Sequence, residues 1–551
     1  MDGDSDGETR RRPETRDAVA MTTYDAARLV SKLESAISGD VGSSLHHTRY
    51  YSVDSSSYAV RPDVVVIPRD VEDVSAAVRI AAETGARITA RGGGTGLVGG
   101  ALNCGIILDM RNISRIRIVR LGPAGGSVEA EAGATRGRLD DVLGAADMMF
   151  GPNPSVGPFC TVGGMVANNA AGSRSLKYGA TIDNVSGITI VDGTGGLVRL
   201  PEDADVAAGI LDIARRIDRS GYPDVSKNSS GYRLDAVSSA ADAHRVIAGS
   251  EGTLGVIISA TIDVVRRPES RTLHILEYEA EQDAAADCLE IVGATRPSAA
   301  EFVDRTILDN IDGGFGSNVQ CLLFVEYEGK DGASTGMPHA GGSGSDARKA
   351  AARGAVDNGE KGVASLARKS TRQTVITDEL EISRWWRHRD SALHYSLITI
   401  DDDAEEVVPH VIEDAVVPLG ALPELFAALR HIRRRHGARI VTYGHAGSGN
   451  IHARLVLKKG ETGRLRRIAA EYFERVIALG GSTTAEHGDG LARSEFVEMQ
   501  YGQENVRLFA ELKGLLDPSN VMNPGKILTG GGGGGSGGDA TGALSENFQG
   551  G

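Results

Sequence analysis

Short apolar runs alternate with helix-like stretches along most of the chain. Residues 63–70 (DVVVIPRD) have the pattern of a strand, residues 71–85 have the apolar spacing of a helix that stops at a glycine, and residues 86–94 (ARITARGGG) return as a strand. More short strands and glycine turns continue to about residue 268. Beyond it, strands alternate with longer helices such as residues 422–437. The pattern predicts an α+β protein with a domain boundary near residue 268.

Three segments lack this pattern and are rich in Gly, Ser, Ala and charged residues: residues 1–22, about 330–362, and 529–551. Such segments have too few large apolar side chains to offset the entropy of ordering. We predict a disordered leader, a disordered insertion in a surface loop, and a disordered Gly-rich tail.

Composition excludes several classes of protein. The formal net charge of −15 argues against nucleic acid or anionic membrane as an electrostatically recruited partner. The four cysteines are far apart without a C-x-x-C pair, so the sequence indicates neither a disulfide scaffold nor an iron–sulfur cluster. No apolar run reaches the ~18 residues of a membrane span, and the N-terminus has no apolar signal segment. We expect a cytoplasmic protein without an integral membrane segment.

A glycine-rich loop follows the predicted strand at residues 86–94. Consecutive backbone N–H groups in such a loop can converge on an anion, and a threonine adds a hydroxyl donor; the residues are Gly92, Gly93, Gly94, Thr95 and Gly96. Taken alone, the loop fits a simple turn as well as it fits a phosphate site. The small-residue segment 160–185, with Gly163, Gly164 and Asn168, favours the binding of a large flat ligand.

Two histidines, His445 and His452, flank the segment AGSGNI. A His pair seven residues apart is more often structural than ligating, since a regular strand would point the two to opposite faces. The glycines between them allow the chain to turn back. Glu486, which precedes His487, offers a third ligand, and two His with one carboxylate leave open positions at a catalytic Zn²⁺ or Mn²⁺.

Six motifs occur in one order: RGGGTGL (91–97), CTVGGMVANNAAGSRSLKYG (160–179), GSEGTLGVI (249–257), GHAGSGNIH (444–452), AEHGDG (485–490) and NPGKIL (523–528). Together they resemble the FAD-linked oxidases of the vanillyl-alcohol-oxidase type. The nearest branch contains D-lactate dehydrogenase, the glycolate oxidase D subunit and D-2-hydroxyglutarate dehydrogenase. The resemblance covers roughly residues 45–528.

The resemblance implies three structural units: a two-part FAD-binding domain of the PCMH type (23–268), an α+β substrate or cap domain (269–485), and a C-terminal helical return to the flavin (486–528). It also implies non-covalent FAD, with residues 92–96 around the pyrophosphate. The residues implied to line the flavin, or to pack near it, are Thr161, Gly163, Gly164, Asn168 and Ile257. Cys160 corresponds to a cysteine of relatives whose flavin is unattached, so we expect it to be a packing residue.

The resemblance also assigns the chemistry. His445, His452 and Glu486 would bind the divalent metal, and His487, with an unperturbed pKa near ~6.5, would be the base. Arg389, in RWWRHRD, would hold the substrate carboxylate. Two further residues have implied roles: Asn450 would contact the flavin or a metal-bound group, and Lys526 would be structural.

The chain departs from the family pattern at three positions. Ser448 stands where relatives have Asp, and Asp489 stands where they have an apolar residue. Ile412 falls where the D-2-hydroxyglutarate enzymes have the Lys for the distal carboxylate. This favours D-lactate or glycolate as the substrate over a dicarboxylate.

The expected activity is oxidation of a D-2-hydroxyacid to the 2-oxo acid. Electrons would pass to a quinone, a cytochrome or an electron-transfer protein. The sequence leaves open a homodimer, an iron–sulfur partner subunit, and peripheral association with the inner face of the membrane. Three other functions stay open as well: a D-2-hydroxyglutarate dehydrogenase, a non-oxidising relative of alkyl-dihydroxyacetonephosphate synthase, and a non-catalytic FAD-binding subunit.

Overall fold

The protein is described by a computed structural model that covers residues 24–311, 313–329, 359–398 and 405–529. The predicted leader, nearly all of the predicted tail and residues 330–358 of the predicted insertion lie outside these ranges. Residues 359–362, which the sequence assigned to the insertion, instead begin a helix, Gly359–Leu366.

The first sheet confirms the predicted strand–helix–strand opening. Its strands, in spatial order, are Asp40–Gly42, Val64–Ile67, Ile106–Asp109 and Ile88–Arg91. The connecting helix, Val71–Thr84, begins after Asp70, whose carboxylate accepts a hydrogen bond from the Asp73 N–H at 3.1 Å. It ends at Gly85, whose φ of 73° suits a residue without Cβ. Helix Ala26–Ala36 packs beside it.

The second sheet is antiparallel and has the strand order Ile116–Gly122, Gly125–Glu131, Val256–Arg266, Val185–Val191 and Leu197–Leu200, with Met148–Met149 pairing with Val256–Arg266. The long strand Val256–Arg266 joins two cores, because successive side chains point to opposite faces and an irregularity in its register between Ile257 and Ser259 switches the face that follows. Val256 and Ile258 pack into the core of the first sheet, whereas Ile257 and Ala260 pack into the core of the second.

The third sheet is antiparallel throughout, with the order Arg372–Ile376, Arg271–Tyr278, Cys321–Glu328, Ala299–Asp304, Arg439–His445, Asn450–Lys458 and Glu406–Val407. One face packs against helices Glu281–Thr295, Leu422–His436 and Thr462–Ala478. The other face is covered by helix Glu379–Asp390, whose Trp386 is buried there.

The remaining helices connect or cover these sheets: Leu45–Tyr50, Arg136–Gly144, Val162–Ala167, Ser175–Tyr178, Ala204–Ala214, Arg305–Leu308, Ala392–Ile398, Gly490–Arg493 and Val497–Leu516. After the last of them the chain returns to the edge of the first sheet. There the Ile88 N–H donates to Val521 O, and the Asn523 N–H donates to Ile88 O, both at 2.8 Å. The architecture is α+β, as predicted. Within the described ranges, no helix is long and apolar enough to cross a membrane.

Candidate active site

One cavity collects nearly all of the residues singled out in the sequence. It encloses about 1650 Å³ of space not filled by atoms, its open mouth included. Its lining includes Gly92, Gly93, Gly94, Thr95, Gly96, Thr161, Gly163, Gly164, Asn168, Ile257, Arg389, His445, His452, Glu486 and His487.

The glycine loop offers backbone donors to this cavity. Within the described residues, no backbone N–H of residues 92–96 donates a hydrogen bond to the protein. A Cβ at Gly92 would overlap the Thr161 hydroxyl, and a Cβ at Gly93 would overlap the carbonyl of Phe159, so both glycines permit close packing. A Cβ at Gly96 would meet only the Asn168 side chain, at 3.8 Å. The free donors fit an anionic group such as a pyrophosphate.

The second small-residue segment forms the short helix Val162–Ala167. Thr161 caps it, because its hydroxyl accepts a hydrogen bond from the Gly164 N–H at 3.2 Å. A Cβ at Gly163 would lie 2.6 Å from the Cβ of Ala132. Glycine at this position therefore lets the helix lie directly against the second sheet, where Ile257 also borders the cavity.

The two histidines lie on a tight hairpin. Strand Arg439–His445 ends at the first, a short 3₁₀ turn follows at Ala446–Ser448, and strand Asn450–Lys458 carries the second. His452 pairs with Tyr443, two residues before His445, so both imidazoles lie on one face with ring centroids 5.1 Å apart. The turn-back that the glycines allow is the observed conformation.

Glu486 presents one oxygen to these imidazoles. Its Oε1 lies 2.8 Å from His445 Nε2 and 3.6 Å from His452 Nε2. Its Oε2 accepts hydrogen bonds from the Gly172 N–H at 2.7 Å and from Lys227 Nζ at 2.9 Å. Burial alone would raise the pKa of Glu486, but Lys227 and His445 hold it well below its usual range. The carboxylate is therefore ionised, and its Oε1 faces the two imidazoles.

The Nδ1 atoms of His445 and His452 have partners of their own, which fix the orientation of the two rings. His445 Nδ1 lies 2.8 Å from the Glu301 carboxylate, and His452 Nδ1 lies 3.0 Å from the backbone oxygen of Glu413. We assign a proton to each Nδ1, because the nearest partner of each is an acceptor; Arg389 Nη2, a donor, lies farther from His445 Nδ1, at 3.2 Å. Both Nε2 atoms then face Glu486 Oε1, which accepts a hydrogen bond from His445 Nε2 when that nitrogen carries a proton. Facing acceptors repel unless a proton or cation lies between them, so this donor set fits a divalent metal.

His452 has the protonation state that a ligand needs. Burial, followed by the neighbouring His445 and His487, lowers the pKa of His452 to about 3. The imidazole is therefore neutral at neutral pH, as metal coordination requires.

A different group of four could also be read as a metal site. One atom from each of four residues lies within 4.8 Å of the others: Asp414, His452, Glu486 and His487. Asp414, however, does not line the cavity. Its Oδ2 accepts from the Thr484 hydroxyl at 2.6 Å and from three backbone N–H groups of residues 485–487, each at 2.9 Å. We therefore interpret Asp414 as the anchor of this segment and not as a ligand.

A carboxylate contacts the Nδ1 atom of His487 and fixes the orientation of its ring. Its Nδ1 lies 2.9 and 3.0 Å from the two oxygens of Glu413, which also pairs with Arg493. Burial alone would lower the pKa of His487, but Asp414 and Glu413 raise it to about 9. This corrects the expectation of an unperturbed value. Without added positive charge, the imidazole is protonated at neutral pH.

Arg389 borders the cavity but is already partly engaged. The residue is 3% exposed; its Nε donates to Glu301 Oε2 at 2.6 Å, and Nη2 approaches the same oxygen at 2.5 Å. Its Nη1 makes no hydrogen bond within the described part of the chain. The predicted carboxylate clamp is thus a guanidinium with one edge fixed by Glu301 and Nη1 free for a ligand.

Asn450 does not line the cavity, contrary to its predicted role as a contact of the flavin or of a metal-bound group. Its Nδ2 instead donates to Asp414 Oδ1 at 3.2 Å and to the backbone oxygen of Ala415 at 3.0 Å. Asn450 lies directly opposite His445 and two positions before His452, on the same face as both, but at the hairpin end its amide is held by Asp414 and Ala415 instead of reaching the cavity.

Two other positions also lie outside the cavity lining. Ile412 is fully buried in the core beneath the third sheet, so it does not occupy a substrate-contacting position. Ser448 donates its hydroxyl to the carbonyl of His445 at 3.1 Å within the turn.

Sequence reasoning missed four buried partners of the site: Lys227, Glu301, Glu413 and Asp414. Signals for some of them existed. Glu301 interrupts the apolar part of strand Ala299–Asp304, and the neighbouring acids Glu413 and Asp414 interrupt an apolar run. A charged residue in an apolar run needs a buried partner. The identity of each partner required the fold.

Comparisons with known proteins agree with this geometry. Residues 62–201 match the family described as "FAD binding domain", and residues 267–527 match "FAD linked oxidases, C-terminal domain". Glycolate oxidase subunit GlcD of Bacillus subtilis is 27% identical over 490 residues, covering 87% of this chain and 91% of that protein. A probable mitochondrial D-lactate dehydrogenase of Danio rerio is 29% identical over 519 residues, covering 92% and 93%.

D-2-hydroxyglutarate dehydrogenase of Escherichia coli is 29% identical over 539 residues, and this chain covers only 51% of its length. Among solved structures, alkyldihydroxyacetonephosphate synthase superposes with a TM-score of 0.60 at 17% identity, covering 91% of this chain and 86% of the other. That likeness establishes the PCMH-type fold. By both of its domains the chain belongs to the FAD-linked oxidases, in the branch of glycolate oxidase subunit GlcD, D-lactate dehydrogenase and D-2-hydroxyglutarate dehydrogenase.

Proposed function

We propose that the protein is a metal-assisted, FAD-dependent dehydrogenase of D-2-hydroxyacids, with D-lactate or glycolate as substrate. The observation that carries the proposal is the convergence of His445 Nε2, His452 Nε2 and Glu486 Oε1. They converge in the same cavity as the free N–H groups of residues 92–96. A site for a Lewis acid thus adjoins a site for a dinucleotide.

His445, His452 and Glu486 would hold Zn²⁺ or Mn²⁺, which supplies Lewis-acid polarisation of a substrate hydroxyl. His487 takes the hydroxyl proton at Nε2, since Glu413 occupies its Nδ1. The nearby carboxylates raise the pKa of His487 to about 9. Positive charge added at Glu486 acts in the opposite sense and moves that pKa toward neutrality, where a base is effective.

Arg389 orients the substrate. Its Nη1 has no partner within the described residues and can donate a charge-assisted hydrogen bond to the substrate carboxylate. Glu301 holds the other edge of the guanidinium, so the side chain loses little conformational freedom when substrate binds.

The residues that would hold FAD are the loop 92–96, Thr161, Gly163, Gly164, Asn168 and Ile257. The flavin supplies the acceptor for the C2 hydride. The four cysteines are free and dispersed, so the electrons would continue to a quinone, a cytochrome or an electron-transfer protein rather than to a cluster in this chain.

The test is oxidation of D-lactate and glycolate by the purified flavoprotein, with an artificial dye as acceptor and the 2-oxo acid quantified. We expect one 2-oxo acid per two electrons, loss of activity after chelation, and recovery with Zn²⁺ or Mn²⁺. Glu486→Gln should abolish recovery. The matched control, Glu474→Gln, changes an exposed glutamate and should behave as wild type.

Two outcomes would count against the proposal. Full activity of chelated, metal-free protein would remove the metal from the mechanism. Failure of every 2-hydroxyacid, with FAD and metal bound, would overturn the activity itself.

A further inference from the structure

Asp390 places a second charged group at the substrate end of the cavity. It is the last residue of helix Glu379–Asp390 and directly follows Arg389. Its side chain lines the cavity together with those of Leu393 and Tyr443. Among the described residues, its carboxylate makes no hydrogen bond and no ion pair. The residue is exposed and open to the cavity space, with protein atoms close enough to desolvate its carboxylate in part.

The fold gains nothing from an acid at this position. The C-terminal end of a helix carries partial negative charge, which disfavours a carboxylate there. Burial raises the pKa of Asp390; Arg389 opposes this, and Glu301 reinforces it. Arg389 cannot serve as a full counter-ion, because it is already paired with Glu301. An acid at the unfavourable end of a helix, next to Arg389 in the cavity lining and without a partner among the described residues, points to a ligand.

We propose that Asp390 is a specificity-determining residue: it accepts a hydrogen bond from a donor in the substrate tail, a hydroxyl or an ammonium, and repels a second carboxylate. This rests on the proposed oxidation of 2-hydroxyacids. An ionised carboxylate only accepts hydrogen bonds, so it strengthens the binding of a substrate whose tail carries a hydrogen-bond donor. A tail carboxylate within several ångströms meets like-charge repulsion that weakens binding by about tenfold or more.

The preferred substrate class is therefore that of 2-hydroxyacids with a hydroxylated or cationic tail. Substrates with small apolar tails, such as D-lactate, still bind, because Asp390 neither attracts nor repels such a tail. Dicarboxylic 2-hydroxyacids are selected against.

The test compares three substrates with different tails, D-lactate, D-glycerate and D-malate, on the holoenzyme with FAD and metal bound. For wild type we expect kcat/KM for D-glycerate to equal or exceed that for D-lactate, with D-malate lowest. Asp390→Asn should raise the malate-to-lactate ratio at least tenfold and lower the glycerate-to-lactate ratio. Unchanged ratios in Asp390→Asn would overturn the proposal.

The matched control is Glu381→Gln, which removes an exposed charge from the same helix outside the cavity and should leave both ratios unchanged. Asp390→Asn should melt no lower than wild type, since the acid is unfavourable at the helix end. A purely structural role for Asp390 would instead lower the melting temperature and leave the ratios unchanged.

A binding measurement separates this proposal from the proposed oxidation. The flavin spectrum should report hydroxypyruvate binding more tightly than oxaloacetate, and Asp390→Asn should reduce that preference at least tenfold. This result, with no substrate oxidised, would support Asp390 as a selector and overturn only the oxidation. Equal preference in both proteins, or no binding of either acid, would overturn the role of Asp390.

Discussion

Asp414 is expected to control both stability and metal binding. Its Oδ2 accepts four hydrogen bonds, one from the Thr484 hydroxyl and three from backbone N–H groups of residues 485–487. These bonds fix the backbone that carries Glu486 and His487. The carboxylate is fully buried, so water cannot replace it.

The magnitude follows from the number of donors. A hydrogen bond to a charged group contributes about 1.5–3 kcal/mol and one between neutral groups about 0.5–1.5 kcal/mol. Asp414→Asn should therefore lower the free energy of unfolding by about 2–4 kcal/mol. Asp414→Ala leaves four buried donors unpaired at about 1–3 kcal/mol each, a loss comparable with the whole stability of a domain, so we expect no folded protein.

The assay is urea unfolding of the FAD-loaded protein, combined with calorimetric titration of Zn²⁺. Asp414→Asn should also weaken metal binding by about tenfold or more, because residues that orient ligands contribute that much. The control is Asp378→Asn, a helix N-cap where Asn is as good as Asp, so both quantities should stay at wild-type values. Wild-type stability and metal affinity in Asp414→Asn would refute the anchoring role.

Three further predictions follow. Gly96→Val should fold normally, because a Cβ there meets only one side chain at 3.8 Å, but it should lose FAD at least ~10-fold more readily on dilution; equal retention would exclude this glycine from the FAD site. Lys227→Met leaves Glu486 without its cation. Thermal melts should therefore show a free energy of unfolding lower by about 3–5 kcal/mol in the metal-free protein, and a smaller decrease with metal bound. Equal decreases in the two states would contradict this prediction. Burial raises the pKa of Asp304 from 3.8 to about 6, so the folded state binds this proton more tightly and wild-type stability falls as pH rises between these values. As the pH rises over that interval, the free energy of unfolding of Asp304→Asn should increase relative to that of wild type by up to about 3 kcal/mol. Parallel pH profiles of the two proteins would contradict this prediction.

Local features of the fold could be predicted from sequence because their causes are local. Helix Val71–Thr84 is bounded by a capping Asp and a stopping Gly, both visible in the sequence. The hairpin that joins His445 and His452 follows from the glycines between them. Each depends on contacts a few residues apart, for which spacing and residue type carry the information.

The partners of the site could not be predicted in this way. Lys227 pairs with Glu486 across 259 positions, and Glu301 pairs with Arg389 across 88. The second pair exists because helix Glu379–Asp390 lies on the face of the third sheet, which contains strand Ala299–Asp304. The raised pKa of His487 has the same origin, since the carboxylates beside it belong to a distant segment.

The most direct test of the central claim is one anaerobic absorption spectrum of the flavoprotein, with Zn²⁺ or Mn²⁺ bound, before and after addition of lactate. We expect D-lactate to bleach the visible flavin band and L-lactate to leave it unchanged. We also expect His487→Ala to keep its FAD and to stay yellow with either enantiomer. A flavin that neither enantiomer bleaches, or one that L-lactate bleaches equally well, would contradict the account.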